Sequence, residues 1–325
     1  MVRTAVVTGA SGYVATEVVK QLLENGYDVR ATVRSVSAKE KIKHLELLGQ
    51  ALPGKVTFYE GDLLKPGSFD EAVKGADYIF HLASPFVAGA PEDPEAFFVK
   101  PAVDGTKNVL SSVLKSKDTI KRVVLTSSFA AMVKPEAGPD NGKYYTHDDW
   151  NTESTLETGA YRYSKVQAEK AAWDFCKKNG IDMVTIHPTL VMGPVISQRL
   201  DAQSVKNFID VLEGRAAPLM MWMVDVRDIA RAHVRAAEVP QAKGRYLLSV
   251  EMTTTPREVS DLLNARFPEY EFPQLDEGKK FHHNDSSKVT KELGIKITPP
   301  EIFLADMAQS LIALGLAKPK LRKSS

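Results

Sequence analysis

The chain has 325 residues, 43% hydrophobic and 26% charged, and a net charge of +1. That length and mix suit a globular protein with one large core or two modest ones. The balanced charge offers no broad field to nucleic acid or an anionic membrane, and a single cysteine, Cys176, excludes an intramolecular disulfide and a cysteine-based zinc cluster.

Residues 2–8 form a short β-rich run with no apolar leader before it, and no stretch reaches the length of a transmembrane helix. The expectation is a soluble, cytoplasmic protein. Residues 14–24 read as a helix stopped by Asn25-Gly26. A second strand at 28–34, a charged helix near 38–48 and strands at 56–59 and 78–82 follow. A helix is expected over 94–115, a fifth strand at 122–126, a helix through Tyr161 and a sixth strand at 183–186. Cys176 falls on that last helix as inert packing. Strand–helix alternation with apolar strands predicts an α/β fold, a Rossmann-type doubly wound parallel sheet. Residues 1–188 are expected to form the dinucleotide-binding domain, with a strand at 245–250 added at the sheet edge. Residues 189–325 are expected to be mainly a smaller, mostly helical substrate lobe. The basic stretch 318–323 reads as a solvated tail.

The turn Thr8-Gly9-Ala10-Ser11-Gly12-Tyr13-Val14-Ala15 joins the first strand to the first helix. Gly9 suits a tight turn, and Gly12 lets backbone amides approach a pyrophosphate at the positive helix end. Ser11, Tyr13 and Val14 belong to the same expected cofactor-binding turn. Where the second strand ends, NAD sites usually carry an acid for the ribose and NADP sites an arginine for the 2′-phosphate. Here stands Arg34, with Lys41 and Lys43 beyond it. A guanidinium is a good phosphate partner, so the cofactor is expected to be NADP(H). Lys43 reads as the polar face of a helix.

Tyr161 and Lys165 stand four apart on a helix continued by strong helix formers, so they share one face. A nearby ammonium favours phenolate, and a tyrosine so tuned can pass a proton to a carbonyl oxygen. Thr126-Ser127-Ser128 closes the fifth strand at its carboxyl end, where ligands of such sheets lie, and Ser128 can donate to the same oxygen. Ser127 reads as a loop cap. Tyr163 has Gln167 instead of a lysine four residues on, so it packs or lines the pocket.

In combination, the glycine turn, Asp62-Leu63 after the third strand, the Thr-Ser-Ser strand end and Tyr-x-x-x-Lys resemble the extended short-chain dehydrogenase/reductases. The chain is most similar to the group of dihydroflavonol reductases, cinnamoyl-CoA reductases and fungal methylglyoxal and carbonyl reductases, through residues 29–34, 67–72, 122–128 and 188–194. The resemblance implies an NADPH-dependent reduction of an aldehyde or ketone to an alcohol. Ser128 would orient the carbonyl and Tyr161 donate the proton. Lys165 would hold the nicotinamide ribose and lower the tyrosine pKa. Asp62 and Leu63 would flank the adenine, and Arg34 and Lys41 bind the 2′-phosphate. Ala83, Pro188, Leu190 and Val191 would line the ribose and nicotinamide.

Two departures narrow the substrate. Val133 stands where dihydroflavonol reductases hold a polar asparagine, and residues 158–165 lack the long cinnamoyl-CoA reductase signature. What remains is a general carbonyl reductase whose small-molecule substrate has an apolar or aromatic part. Phe86, Phe129 and Met132 are the candidate pocket residues, and Leu219 to Met223 reads mostly as a buried strand. Asp225 and Asp228 read as scaffold, His81 and His187 as core histidines. His282-His283 lacks partner carboxylates, so no metal is assigned. An NAD-dependent nucleotide-sugar epimerase or dehydratase and a non-catalytic NADP-sensing regulator are the alternatives. The chain is expected to act as a monomer or homodimer.

Overall fold

The computed structural model describes residues 2–84, 92–133, 144–218, 222–278, 280 and 284–323. Short apolar strands alternate with helices as the sequence leads one to expect. The strands are β1 (Thr4–Thr8), β2 (Asp28–Val33), β3 (Lys55–Glu60), β4 (Tyr78–His81), β5 (Arg122–Thr126) and β6 (Met183–Pro188). Later come β7 (Leu190–Met192), β8 (Met223–Asp225) and β9 (Gly244–Leu248). Seven of them form one sheet in the order β3-β2-β1-β4-β5-β6-β9, every pair parallel. β7 and β8 pair separately.

The helices are α1 (Tyr13–Glu24), α2 (Lys39–Ala51), α3 (Asp70–Val73), α4 (Lys100–Lys115), α5 (Leu156–Asn179), α6 (Gln203–Leu212) and α7 (Val226–Glu238). They continue with α8 (Pro256–Arg266), α9 (Ser287–Leu293) and α10 (Pro300–Ala313). The expected helix over 94–115 opens with a π-helical turn, Glu95–Val99, ahead of α4.

Both faces of the sheet are covered, because side chains alternate along each strand. Ala5 and Val7 of β1 join the core beneath α1, α2, α7 and α9, whereas Val6 joins the core beneath α3, α4 and α5. A separate apolar core gathers Met192, Phe208, Met223, Leu263 and Phe303 from β7, β8, α6, α8 and α10. The stretch after residue 189 therefore contributes to two cores, since α7, β9 and α9 pack with the main sheet.

Asp225 and Asp228 act as scaffold. Asp225 is fully buried, caps α7 through the Arg227 amide at 2.8 Å and pairs with the Arg227 guanidinium. Asp228, also fully buried, accepts from the Thr298 amide at 2.6 Å. Cys176 is buried, its thiol 3.6 Å from Met183 Sδ, and burial pushes it up to about 12. The C-terminal stretch is not simply a solvated tail. Leu321 forms an antiparallel bridge with Tyr270, and the Glu271 amide donates to Lys320 O. Among the described residues no helix is long and apolar enough to cross a membrane.

Candidate active site

The carboxyl ends of β1, β2, β4, β5 and β6 open on one rim of the sheet, where the glycine turn, Ala83, the Thr126–Ser128 strand end and Pro188 lie. Gly9 follows β1 with φ +64°, a conformation that glycine adopts without a Cβ penalty. A Cβ there would lie 3.0 Å from Ala83 Cα, so Ala83, just past β4, packs directly on the turn. The Ala83 and Leu82 amides both donate to Thr8 Oγ1, at 3.0 and 3.1 Å. With its lone pairs so used, the Thr8 hydroxyl gives its own proton to His81 Nδ1, 2.8 Å away. Burial holds His81 down at about 4, and the nearby Lys165 charge pushes the same way, so this ring is a neutral fastener between β1 and β4.

Gly12 is the N-cap of α1, and no side chain caps the first turn. Those amides and the positive helix end remain available to an anion. Ser11 and Val14 flank the turn, both half-buried. Tyr13 differs from its neighbours: its hydroxyl donates to Gly193 O at 2.7 Å, tying the turn to the segment after β7. Burial raises that phenol well above its ordinary value, so it stays a donor. Arg34 follows the last residue of β2 and is exposed, as are Lys41 and Asp62. Asp62 is held as a turn, its Oδ1 accepting from the Leu64 amide at 2.9 Å. Leu63 packs against Gly105 of α4 and is fixed through its carbonyl by Asn108. An uncapped helix start, a hydroxyl and a guanidinium at the end of β2 fit a dinucleotide carrying a 2′-phosphate.

The second half of the site sits on α5. Thr155 caps this helix in a capping box with Thr158. The backbone leaves helical geometry at Gly159, so regular helix resumes just before Tyr161. Lys165 lies one turn further, its Nζ 5.5 Å from the Tyr161 ring centroid. Nζ donates to Ser84 Oγ at 2.8 Å, beside Ala83 and the glycine turn. Ser128 caps the 3-10 turn Phe129–Ala131, its Oγ accepting from the Ala130 amide at 3.1 Å. Its hydroxyl proton is therefore directed elsewhere than that turn.

Glu169 lies one turn beyond Lys165 on the same helix face and is 1% exposed. Ser127 donates to its Oε2 at 2.7 Å, His187 Nε2 lies 2.8 Å from the same oxygen, and Arg245 Nε donates to Oε1 at 2.7 Å. Trp173 adds an indole bond at 3.2 Å. One carboxylate thus joins α5 to the ends of β5 and β6 and to β9. Burial pushes the Glu169 carboxyl up, but His187 and the Arg245 guanidinium outweigh it and hold it at about 2. Ser127 is therefore more than a loop cap. Nothing in the Tyr161–Lys165 spacing alone pointed to Glu169, although a carboxylate repeating the interval of four was the available signal.

On the substrate side, Phe86 lies outside the described residues, as do Leu219 to Met221 and His282-His283. Phe129 is 8% exposed and meets Tyr145 and Trp222 edge-on at 5.6 and 5.8 Å. Met132, the other expected pocket residue, lies in the same cluster. It has no exposed surface and packs with Phe129, Val133, Tyr145 and Leu247. Tyr163 is half-buried. Pro188 closes β6, and Leu190 and Val191 begin β7, both half-buried. Leu190 also lines a cavity of about 170 Å³ with Met192, Phe208, Val211 and Met223. Among the described residues no group of three or more His, Cys, Asp or Glu could hold a metal.

Residues 5–248 match the model of the NAD dependent epimerase/dehydratase family. The chain is 39% identical over 316 residues to cinnamoyl-CoA reductase CAD2 of Medicago truncatula, covering 94% of each. Among solved structures it is similar to Gre2 of Candida albicans in complex with NADPH, at 33% identity and a TM-score of 0.85, over 97% of this chain and 100% of that one. It is also similar to the yeast methylglyoxal/isovaleraldehyde reductase Gre2 complexed with NADPH, at 29% identity and a TM-score of 0.83, over 96% of this chain and 99% of that one.

Proposed function

The chain belongs to the NAD dependent epimerase/dehydratase family, and from that premise we propose that it is an NADPH-dependent reductase that converts an aldehyde or ketone into an alcohol. The observation that carries this reading is the placing of Tyr161 and Lys165 on α5 with Lys165 Nζ reaching Ser84, next to Ala83 and the glycine turn. A proton donor is thereby set against the place where a nicotinamide would lie. That similar structures hold NADPH supports NADP(H) as the cofactor.

The roles follow from the chain's own groups. The amides of the α1 start hold the pyrophosphate, and Arg34 and Lys41 the 2′-phosphate. Asp62 and Leu63 border the adenine. Ala83, Pro188, Leu190 and Val191 border the ribose and nicotinamide. When bound there, NADPH would supply the hydride that the carbonyl carbon takes up. As negative charge grows on the oxygen, Ser128, whose Oγ accepts from Ala130 through a lone pair, donates its one proton to it. Tyr161 gives the oxygen a proton and is restored from solvent. Lys165 holds the ribose hydroxyls. Glu169 keeps α5 registered against Ser127, the neighbour of Ser128.

The cavity beside Leu190 is lined mostly by apolar side chains and supports a substrate with an apolar or aromatic part. Arg34, standing where an NAD site would carry an acid, weighs against a sugar-nucleotide epimerase. The presence of both Tyr161 and Lys165 weighs against a pure sensor.

The test is consumption of NADPH and NADH with aromatic aldehydes, α-dicarbonyls, β-keto esters, flavonoid ketones and acyl-CoA thioesters. Turnover with NADPH well above NADH on a member of the first three classes is the expected result. NADPH binding without oxidation by any member would overturn the reading.

A further inference from the structure

The segment between β7 and α6 leaves the second apolar core and returns to the glycine turn. There Arg199 Nη1 donates to Ser11 Oγ at 2.7 Å. The same guanidinium pairs with Asp201, its Nε 3.2 Å from Oδ1. The Arg199 side chain is only 19% exposed, whereas that of Asp201 is 54% exposed. Burial pushes the Asp201 carboxyl up, but Arg199 outweighs it, and the field of Arg34 adds to the lowering. His44 of α2 feels the same guanidinium: burial, then Arg199, hold it down at about 4. Its Nε2 lies 3.1 Å from Thr16 Oγ1 at the start of α1.

One guanidinium from a distant segment thus reaches the glycine turn, and its carboxylate partner lies in the field of Arg34 at the end of β2. This is where a 2′-phosphate lies in a dinucleotide site. Arg199 was not among the residues expected from the sequence to meet the cofactor. Its contacts are a hydroxyl of the glycine turn and a largely solvated acid. A phosphate dianion offers more oxygens and more charge than a carboxylate, and a guanidinium fork pairs with it well.

We infer that Arg199 is a second reader of the 2′-phosphate, reaching from outside the β2 end, and that Asp201 is the anion which occupies it until the phosphate displaces it. The inference rests on the reading that the site takes a 2′-phosphorylated dinucleotide. In this exchange Arg199 turns from Asp201 to the phosphate while Arg34 keeps its place. The exposed Asp201 side chain swings into water at little cost. On release, Asp201 reclaims Arg199, which hastens departure of NADP⁺.

The test is the dissociation constant of NADPH and of NADH, by quenching of protein fluorescence, for the wild type, Arg34→Ala, Arg199→Ala and Asp201→Asn. Arg199→Ala is expected to weaken NADPH tenfold or more while NADH stays within twofold. Asp201→Asn is expected to tighten NADPH severalfold, also without moving NADH. Equal weakening of both dinucleotides by Arg199→Ala, or no weakening of either, overturns the inference, as does an Asp201→Asn protein with unchanged NADPH affinity. If the wild type shows no preference for NADPH, the underlying cofactor reading fails. If the preference is present and depends on Arg34 but not on Arg199, only this inference fails.

Discussion

Gly9 shows how much of the site is decided by single positions. Its φ of +64° and the 3.0 Å approach of a Cβ to Ala83 Cα act together. Gly26, at φ +73°, has open space where a Cβ would be. Left-handed backbone costs an ordinary L residue about 1–2 kcal/mol. Gly26→Ala should therefore lose about that much stability and leave NADPH affinity unchanged. Gly9→Ala should lose more and weaken NADPH binding over tenfold, because the turn must move off Ala83. Urea unfolding and cofactor titration of the two proteins check this, and equal effects of both substitutions would refute it. Gly9, Gly12 and the Tyr161–Lys165 pair were legible in the sequence because each is a local pattern on one turn or one helix face. Arg199 and Glu169 were not, because their partners lie far away in the chain: Ser11 for one, His187 and Arg245 for the other. The full burial of Met132 was not legible either, because it depends on how Tyr145 and Leu247 close over it, which no local pattern encodes.

At the scale of elements, α5 works as a beam carrying Tyr161, Lys165 and Glu169 at intervals of four. Its far anchor is the buried Glu169–Arg245 pair, with side chains 1% and 8% exposed. Removing one partner of such a pair strands a buried charge, at about 3–5 kcal/mol. Glu169→Gln should destabilise the protein by roughly that amount and lower turnover more than it raises KM, since it loosens the register of α5 against the strand ends. Denaturant titration with steady-state kinetics measures both. A change below about 1 kcal/mol, within the range of exposed pairs, would contradict the anchoring role. The main strands were legible because a doubly covered parallel sheet writes itself as apolar runs. β7 and β8 span three residues each, too short for period alone to register, and they are held by pairing to each other.

For the whole molecule, buried histidines set the response to acid. His81 and His233 are buried, and burial holds each at about 4, below an ordinary value of 6.5. His233 bridges the sheet and α7: Nδ1 donates to Ile229 O at 2.7 Å, which leaves Nε2 to accept from Thr126. The folded pKa is the lower one, so the stabilisation is complete above pH 6.5 and is lost as pH falls from there toward 4. Each ring contributes on the order of 3 kcal/mol. Glu169, held at about 2 against an ordinary 4.5, extends the loss below pH 4.5. Thermal melts should be flat from pH 7 to 8 and fall steeply between pH 6.5 and 4. An even response across that window would contradict the neutral-histidine account.

The proposed reaction turns on Tyr161 as the proton donor. The most direct measurement is the turnover of Tyr161→Phe beside the wild type, at saturating NADPH and with the best carbonyl substrate of the panel. Loss of one general acid predicts a fall of about a hundredfold or more with NADPH affinity retained. Turnover within a few-fold of the wild type would contradict it.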